Sequence, residues 1–283
     1  MKYITAKYQK INPADLKLRY GQDRDYENFI NYDALIKDEK NGSVVLAVKT
    51  NAFPKEITEP AFAAMYSGRK IVTRNRGNYA GSERSAVYRS PKITYSEPVA
   101  SLTAGSFERQ GGRNKCCRKC SWNRDNPKQW NKLTPLIKSI AREYKKIAPD
   151  KYAKQANFSK KIHSDWLIED TPFTTVTINN TVKAAYHTDS GDYKGGLGCL
   201  YTLTKGPVLN WDLVIPEYKL RIEIKNNTLI LFEPHLWHAN YGAAKGLGKA
   251  NKSFSRVSLV CYAREKMQHC GSAKEEIEKA KRL

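Results

Sequence analysis

Short apolar runs, separated by turn residues, characterise the C-terminal half of the chain. From residue 172 onward these runs are rich in β-branched and aromatic side chains, and turns such as the Lys-Asn-Asn at 225–227 separate them. The runs are FTTVTINN, KAAYHTD, GCLYTLT, WDLVIP, KLRIEI, TLILFE and RVSLVCYA. Strands at this spacing predict a sandwich or barrel, and a double-stranded β-helix, or jelly roll, fits them.

A helical pattern precedes these strands. Between 129 and 148, apolar residues recur at the spacing of a helix and form one stripe along it. The stripe consists of Leu133, Leu136, Ile137, Ile140, Tyr144 and Ile147. Residues 150–161 are expected to continue as a second helix, so 129–161 predicts two helices that support the strands.

Weaker patterns lie towards the two ends of the chain. In the N-terminal part, SVVLAVKT predicts a strand and EPAFAAMY a short helix. At the C-terminus, Ser272 and Glu275 have the spacing of a capping box, so SAKEEIEKAKRL predicts a charged surface helix. The predicted class is therefore α+β, with a cupin-like jelly-roll core and supporting helices.

The charge balance is strongly basic. The chain has 49 Lys and Arg against 28 Asp and Glu, which gives a net charge of +21. Such an excess attracts polyanions, first of all nucleic acid and secondly an anionic membrane. Two basic stretches, 66–92 and 113–132, are expected to contact phosphates. The residues predicted to contact a DNA backbone are Arg69, Lys70, Arg74 and Arg76.

The N-terminus is polar and lacks the apolar region of a signal peptide, and apolar runs such as 43–48 are too short to span a bilayer. We therefore expect an intracellular monomer, in the cytoplasm or nucleus of a host, without a membrane partner. Three of the six cysteines fall within 116–120, unlike a spaced disulfide framework, so reduced thiols are expected. The alternative is a zinc site at Cys117 and Cys120, with Cys270 and His269 as distant partners.

A metal site is indicated by the stretch AAYHTDSGDYKGGLG. His187 and Asp189 are separated by one residue, so at a strand end both side chains lie on the same side. The strand-like run LILF leads into a loop with His235 and His238, and we assign His238 as the third ligand. Two imidazoles and one carboxylate form the facial triad of non-haem Fe(II) oxygenases, which leaves positions open for substrate and O2. His235 is interpreted as a neighbouring or surface residue.

Arg256, in the run SFSRVSLVCY, predicts a binding site for a co-substrate. A 2-oxo acid that binds iron at one end needs a cation for its distal carboxylate, and arginine offers a two-pronged donor. Ser258, two residues on and on the same face of the strand, is expected to donate a second hydrogen bond. The predicted co-substrate is 2-oxoglutarate.

At these residues the sequence resembles the ten-eleven translocation / J-binding-protein (TET/JBP) family of Fe(II)/2-oxoglutarate-dependent dioxygenases, most of all their short viral and protist members. The resemblance covers roughly residues 70–270. It is carried by FTTVTINNTVKAAYHTDSGDYKGGLG, LILFEPHLWHAN and RVSLVCYAREKM, and more weakly by TRNRGNYAG and CRKCSWNRDN. It implies oxidation of the 5-methyl group of a pyrimidine in DNA after the base is flipped, with the ligands and the arginine assigned above.

The resemblance also implies contacts to the base. Asp192 matches a family acid that contacts the exocyclic amine of a flipped cytosine, and Arg264 stands where some members carry a histidine that contacts the pyrimidine edge. An ionised Asp only accepts and an Arg only donates, which suits the donor N4 and the acceptors N3 and O2 of cytosine. Alternatively, Arg264 pairs with Asp192 or Glu265 and never contacts the base. Asn114 and Arg118 are further candidates for substrate contacts.

The function that we predict is hydroxylation of 5-methylcytosine in DNA to 5-hydroxymethylcytosine, with the extent of further oxidation left open. The first alternative is the same chemistry on thymine, to 5-hydroxymethyluracil, or on both bases, because Asp192 can also accept from the N3–H of thymine. A hydroxylase of proteins or small molecules is disfavoured by the net charge. A binding module with an inactive site is disfavoured by the complete triad and Arg256.

The chain shows no internal repeat and no linker rich in proline, glycine or serine. We therefore predict one catalytic domain over residues 1–283. Its predicted parts are a basic, DNA-contacting N-terminal part (1–128), supporting helices (129–170), a jelly-roll metal core (171–266) and a C-terminal helix (267–283). The insert GAAKGLGKANKS, 242–253, predicts a basic loop beside the site.

Overall fold

A computed structural model of the chain describes residues 1–16, 19–73, 86–90, 93–96, 98–110, 115–206, 208, 211–242 and 254–283, and for 86–90 and 93–96 it describes the backbone alone. The helices are α1 (Lys55–Ser67), α2 (Ser121–Asp125), α3 (Pro127–Ile147), α4 (Pro149–Ser159) and α5 (Ala273–Lys281). The strands are β1 (Lys2–Ala6), β2 (Asn28–Ile30), β3 (Ala34–Asp38), β4 (Val44–Lys49), β5 (Ala86–Ser90), β6 (Ile93–Ser96), β7 (Ser101–Phe107), β8 (Arg118–Lys119), β9 (Thr175–Asn180), β10 (Gly198–Lys205), β11 (Leu213–Ile215), β12 (Leu220–Ile222), β13 (Thr228–Phe232), β14 (Ala239–Asn240) and β15 (Ser255–Tyr262).

Two sheets form the core. Among the described residues the major sheet has the order β1-β3-β4-β13-β10-β15-β9-β7-β8, and the minor sheet has the order β14-β11-β12-β2. Apolar side chains of both sheets, such as Ile230 of β13 and Ile222 of β12, share one buried cluster. The sheets therefore pack face to face, as the predicted α+β jelly roll requires.

Helices cover the outer face of the major sheet. In β13, Leu229 and Leu231 pack in the cluster that contains α1 and α3, whereas Ile230 and Phe232 pack towards the minor sheet. This alternation is the period of two expected of a strand that is buried on both faces. The chain thus forms three layers: the minor sheet, the major sheet and the helices.

The predicted helices are confirmed. Five members of the α3 stripe are buried and the sixth, Ile147, packs against the same cluster. At α5, the hydroxyl of Ser272 accepts from the backbone N–H of Glu275, whose carboxylate accepts from the N–H of Ser272, so the capping box is present. In the described part of the chain, no helix has the length and apolar character needed to cross a membrane.

Two local predictions were wrong. The run KAAYHTD is not a regular strand, and in it His187 makes a single antiparallel bridge to His238. The glycines and basic residues of 66–128 show no clear period and so predict loops, yet β7 lies in the major sheet and pairs with β9 and β8. Small residues such as Ala104 and Gly105 interrupt its apolar pattern and conceal the strand from the sequence. The division into four parts stays a prediction, although β1, β3, β4 and β7 show that 1–128 also builds the core sheet.

The cysteine prediction was partly wrong. Cys117 forms a disulfide with Cys270, 153 residues away, a pairing that no spacing in the sequence reveals. The disulfide removes Cys117 from the predicted zinc pair. Cys120 is buried, and burial raises the pKa of its thiol to about 11, which disfavours the thiolate that zinc needs. Cys116, Cys199 and Cys261 are free, as expected of reduced thiols.

Candidate active site

The predicted metal ligands lie together. The nearest ligand atoms of His187, Asp189 and His238 lie within 4.8 Å of one another, and we call these three residues the metal group. The Nε2 atoms of His187 and His238 lie 3.8 and 3.7 Å from the two carboxylate oxygens of Asp189. No other cluster of three or more His, Cys, Asp or Glu with ligand geometry occurs among the residues that the structure describes. The donor set fits a non-haem Fe(II) ion, because two imidazoles and one carboxylate leave one face open.

Backbone hydrogen bonds bring the two ligand segments together. The N–H of His187 donates to the carbonyl of His238 over 3.1 Å, and the reverse bond measures 3.0 Å. The N–H of Asp189 donates to the carbonyl of Pro234 over 2.8 Å. The position of each ligand is therefore fixed by the main chain rather than by side-chain packing alone.

The orientation of both imidazoles is also fixed. The Nδ1 atoms of His187 and His238 lie 2.9 Å from the carbonyl oxygens of Ala185 and Leu236. A carbonyl only accepts, so Nδ1 carries the proton and the lone pair of Nε2 faces the centre of the group. Such carbonyl partners are typical of histidines that bind metals.

An ion pair from the N-terminal part supports the segment before His187. The hydroxyl of Tyr186 donates to the carboxylate of Asp25 over 2.9 Å, and the guanidinium of Arg19 binds both oxygens of Asp25 at 2.6 and 2.8 Å. Burial acts to raise the pKa of Asp25, but the hydrogen bonds from Arg19 and its neighbours lower it overall. We did not predict this support, because nothing in the sequence relates Asp25 to Tyr186.

A buried carboxyl lies behind the loop that carries His238. Glu217 accepts the backbone N–H of Trp237 through Oε1 at 2.8 Å, and its Oε2 has no hydrogen-bond partner among the described residues. Burial raises the pKa of Glu217 to about 7. Glu217 therefore holds the loop of His238 through this hydrogen bond, at a place where burial disfavours the charged form of its carboxyl.

Arg256 is a buried cation without a carboxylate partner in the described part of the chain. It is 3% exposed, and its nearest donors and acceptors are the hydroxyls of Ser258 and Thr202, each 3.4 Å from a guanidinium nitrogen. Its Nε has no partner, and the ring of Trp211 lies 4.9 Å from its central carbon. Burial lowers the pKa of Arg256 to about 10. A buried, unpaired guanidinium is costly, so this position suits the carboxylate of a ligand.

One cavity of about 680 Å³ joins these groups. The metal group and Arg256 with Ser258 line it, and so do Asp192 and Arg264. The predicted metal and co-substrate residues therefore open into the same space as the predicted base contacts. Ile71, Val72, Arg118 and Trp122 also line the cavity.

Arg264 is bound by a residue that sequence reasoning missed. The carboxylate of Glu108, which is 4% exposed, accepts from the Nε of Arg264 at 3.0 and 3.1 Å and from its Nη2 at 2.5 Å. The Nη1 of Arg264 lies 3.5 Å from Asp192. Arg264 was expected to contact the base or to pair with Asp192 or Glu265; it pairs with Asp192 at 3.5 Å, but its shortest contacts are to Glu108. We call Glu108, Arg264 and Asp192 the arginine clamp.

The charges of the clamp are coupled. Burial acts to lower the pKa of Arg264, but the hydrogen bonds and charge of Glu108 raise it overall. Burial and, secondly, the charge of Asp189 raise the pKa of Asp192 well above its usual range, although Arg264 acts in the opposite direction. Arg264 is therefore a permanent cation, and Asp192 is a buried carboxyl whose ionisation Arg264 favours while burial and Asp189 oppose it.

His235 lies outside the metal group. Its Nε2 is 2.9 Å from the backbone carbonyl of Asp192, so it joins the loop of His238 to the segment that follows Asp189. This contact agrees with its interpretation as a neighbour of the site rather than a ligand.

The remaining predicted contacts are only partly described. Arg118 lines the cavity and donates to the carbonyl of Glu108 and to Gln110. Arg69 stacks 4.3 Å over the ring of Tyr66, and Lys70 is exposed. Asn114, Arg74, Arg76 and, apart from Gly242, the insert at 242–253 lie outside the described residues.

Comparison with known proteins extends this description. The family Tet_JBP, described as the oxygenase domain of the 2OGFeDO superfamily, matches residues 102–265. That range contains the metal group, Arg256 and the whole arginine clamp.

Individual proteins are similar as well. "Thymine dioxygenase JBP1" of Trypanosoma brucei brucei is 31% identical over 162 residues, which are 57% of this chain and 19% of that protein. The protein of the same name from Crithidia fasciculata is 25% identical over 237 residues, 82% of this chain and 26% of that one. The chain therefore spans about a fifth to a quarter of the length of these curated relatives.

A solved structure shows the same fold. The structure of NgTET1 in complex with 5mC DNA has a TM-score of 0.61 to this chain at 13% identity, over 91% of this chain and 88% of that one. At this identity the likeness concerns the fold alone, and it confirms the jelly-roll prediction.

Proposed function

The chain belongs to the Tet_JBP family of oxygenase domains in the 2OGFeDO superfamily, and on that premise we propose that it hydroxylates the 5-methyl group of a pyrimidine base in DNA. Fe(II), 2-oxoglutarate and O2 are the proposed cofactor and co-substrates. The observation that carries the proposal is the convergence of the metal group and the unpaired, buried Arg256 on one cavity. A structural role alone does not explain a buried guanidinium without a carboxylate partner.

His187, Asp189 and His238 would hold the iron through two imidazole nitrogens and one carboxylate. The carbonyls of Ala185 and Leu236 keep Nδ1 protonated, so each Nε2 presents its lone pair without a change of tautomer. Iron bound there would supply the activation of O2 that hydroxylation of a methyl group requires, and the protein supplies the orientation of the reacting groups.

Arg256 would bind the distal carboxylate of 2-oxoglutarate. Its guanidinium offers parallel donors, and the hydroxyls of Ser258 and Thr202 lie beside it on neighbouring strands of the major sheet. Because β10 and β15 are central strands, the cation is held at a fixed place relative to the metal group. The buried charge gains a partner when the carboxylate binds, which favours a dicarboxylic co-substrate over a monocarboxylic one.

DNA is the proposed macromolecular substrate. The net charge of +21 favours a polyanion, and the relatives are named as thymine dioxygenases. Because the metal group lies inside a cavity, a methyl group in a stacked duplex cannot reach it, so the base must leave the stack and enter the cavity. A protein or small-molecule hydroxylase has no need of such a charge.

The base is proposed as 5-methylcytosine, with thymine as a second candidate. An ionised Asp192 accepts only, and so matches the N4 amine of cytosine, whereas O4 of thymine needs a donor in its place. The names of the relatives favour thymine, and the raised pKa of Asp192 brings a protonated, donating carboxyl within reach. An ionised Asp192 can therefore bind thymine only through its N3–H, whereas a protonated Asp192 could also donate to O4.

The experiment compares duplexes that are identical except for 5-methylcytosine, thymine or an unmethylated base at one position. Each is incubated with the protein, Fe(II), 2-oxoglutarate and air, and the nucleosides are quantified by mass spectrometry. Hydroxymethyl product from a methylated base, absent with Asp189→Ala, supports the proposal, and its identity chooses between the candidates. Consumption of 2-oxoglutarate that depends on an added protein or small molecule but never on DNA would refute the DNA substrate.

A further inference from the structure

Two carboxylates compete for one guanidinium in the arginine clamp. Glu108 engages the Nε and Nη2 of Arg264 at 2.5 to 3.1 Å, whereas Asp192 lies 3.5 Å from Nη1, beyond the usual length of a hydrogen bond. Glu108 therefore has the stronger hold on Arg264, and Asp192 forms only the longer, weaker ion pair, so its carboxylate keeps acceptor capacity for a further donor. Among the described residues, no third carboxylate forms an ion pair with Arg264.

The plane of the guanidinium is fixed from two further sides. Its central carbon lies 5.0 Å from the centre of the Phe107 ring. On another side it packs so closely on Gly191 that a Cβ at this position would overlap the guanidinium carbon and both terminal nitrogens. Gly191 directly precedes Asp192, so the same contact sets the distance between Arg264 and the carboxylate of Asp192.

Glu108 itself does not line the cavity, whereas Asp192 and Arg264 do. The carboxylate of Glu108 therefore acts on a bound base through Arg264, the cavity residue that it binds. If Glu108 loses its charge, Asp192 is the only carboxylate among the described residues that still pairs with Arg264, so the 3.5 Å contact between them would shorten and occupy the acceptor atoms of Asp192.

We propose that Glu108 is a positioning residue that determines base preference: it holds Arg264 back from Asp192, so that the carboxylate of Asp192 stays available to the amino group of a bound base. The inference rests on the proposed function, because it assumes that a pyrimidine occupies the cavity. It assigns selectivity to the distance between Arg264 and Asp192 rather than to Asp192 alone.

Two independent substitutions disturb this distance. Glu108→Gln keeps the shape of the side chain but removes the charge that holds Arg264. Gly191→Ala leaves every charge in place and displaces the guanidinium by steric overlap. The matched control is Glu169→Gln, which removes a carboxylate that pairs with Lys138 on the protein surface. Thermal denaturation of all four proteins checks that each one is folded.

The measurement is the ratio of kcat/KM for 5-methylcytosine over thymine in otherwise identical duplexes. We expect both clamp variants to lower this ratio by about tenfold or more, since a hydrogen bond to a charged group is worth roughly 1.5–3 kcal/mol. Glu169→Gln should leave the ratio unchanged. A merely structural role of Glu108 would lower both rates together without changing the ratio.

The outcomes separate the two proposals. A wild-type protein that oxidises a base, together with a folded Gly191→Ala variant of unchanged ratio, would overturn the role of Glu108 and leave the proposed function intact. A wild-type protein that oxidises neither base would overturn both. Should Glu108→Gln fail to fold, the Gly191→Ala result alone decides.

Discussion

The metal group lines the same cavity as Arg264 and Asp192 of the arginine clamp, but the two groups are built in different ways. In the metal group, main-chain hydrogen bonds join the segments of His187, Asp189 and His238, and carbonyls orient both imidazoles. In the clamp, the side chains of Glu108 and Asp192 compete for the single guanidinium of Arg264. Because the backbone fixes the geometry of the metal group, this group suits the oxidation step, which is the same for every base. A balance between ion pairs can be shifted by one substitution, which suits the choice of substrate.

The largest effect should come from the metal group. Replacing His187, Asp189 or His238 with Ala removes a ligand, and turnover should fall below detection because the remaining two groups cannot hold the ion in place. Titration with Co(II), followed by absorbance, should show the loss of binding directly. His235→Ala is the matched control and should retain measurable turnover. An inactive His235→Ala beside an active His238→Ala would mean that the third ligand is misassigned.

Arg256→Ala should have the next largest effect. Without the guanidinium, the concentration of 2-oxoglutarate needed for half-maximal rate should rise by about 10- to 100-fold, as expected for the loss of a charge-assisted hydrogen bond. Binding of Co(II) should be unchanged, which separates this variant from those of the metal group. The control is Arg142→Ala, an exposed arginine on α3. An unaltered 2-oxoglutarate dependence would reassign the buried cation to a structural role.

Glu217 offers a test by pH. Its pKa is raised to about 7, so the folded protein binds more protons than the unfolded chain between its ordinary pKa and pH 7. The free energy of unfolding should therefore decrease as pH rises through this interval, by about 3 kcal/mol from this one group. In Glu217→Gln that contribution should vanish. Urea denaturation at several pH values measures it, with Glu278→Gln as an exposed control; identical pH dependence in wild type and Glu217→Gln would contradict the assignment.

The smallest expected effect is a change of selectivity at the clamp. Asp192→Asn presents either a donor or an acceptor, so activity on 5-methylcytosine should fall by about tenfold relative to thymine, the size of one hydrogen bond to a charged group. Products from the two bases, measured in one reaction, give the ratio. Asp170→Asn, on the surface, is the control. If the ratio does not move, pocket shape rather than Asp192 selects the base.

The same comparison shows how far the sequence could predict the site. The metal group follows from local patterns: two ligands are one residue apart, and the third follows a run of apolar residues. Arg256 was predictable because a charged residue in an otherwise apolar strand is costly to bury unless it binds a partner. These signals are local in the chain, and the fold brings the segments together as the strand pattern implies.

The pairing of Arg264 with Glu108 and the disulfide could not be predicted, because the partners are distant in the chain and unremarkable in type. Glu108 lies 156 residues from Arg264, and Cys117 lies 153 residues from Cys270. The strand β7, which leads into Glu108, was also missed, since small residues hide its alternation. The hydrogen bond from Tyr186 to Asp25 was missed for the same reason. The two residues are distant in the chain, and Asp25 lies in a stretch without a motif. Contacts of this kind depend on which distant segments the fold brings together, and composition does not encode that.

We propose that the cavity oxidises a methyl group of DNA with Fe(II), 2-oxoglutarate and O2. The most direct measurement is the transfer of ¹⁸O from labelled O2 into the hydroxymethyl nucleoside of a methylated duplex, with succinate counted in the same reaction. We expect one labelled oxygen per hydroxymethyl group, succinate at no less than the amount of product, and neither with Asp189→Ala. Label-free product, or succinate formed without any oxidised nucleoside on either methylated duplex, would contradict the account.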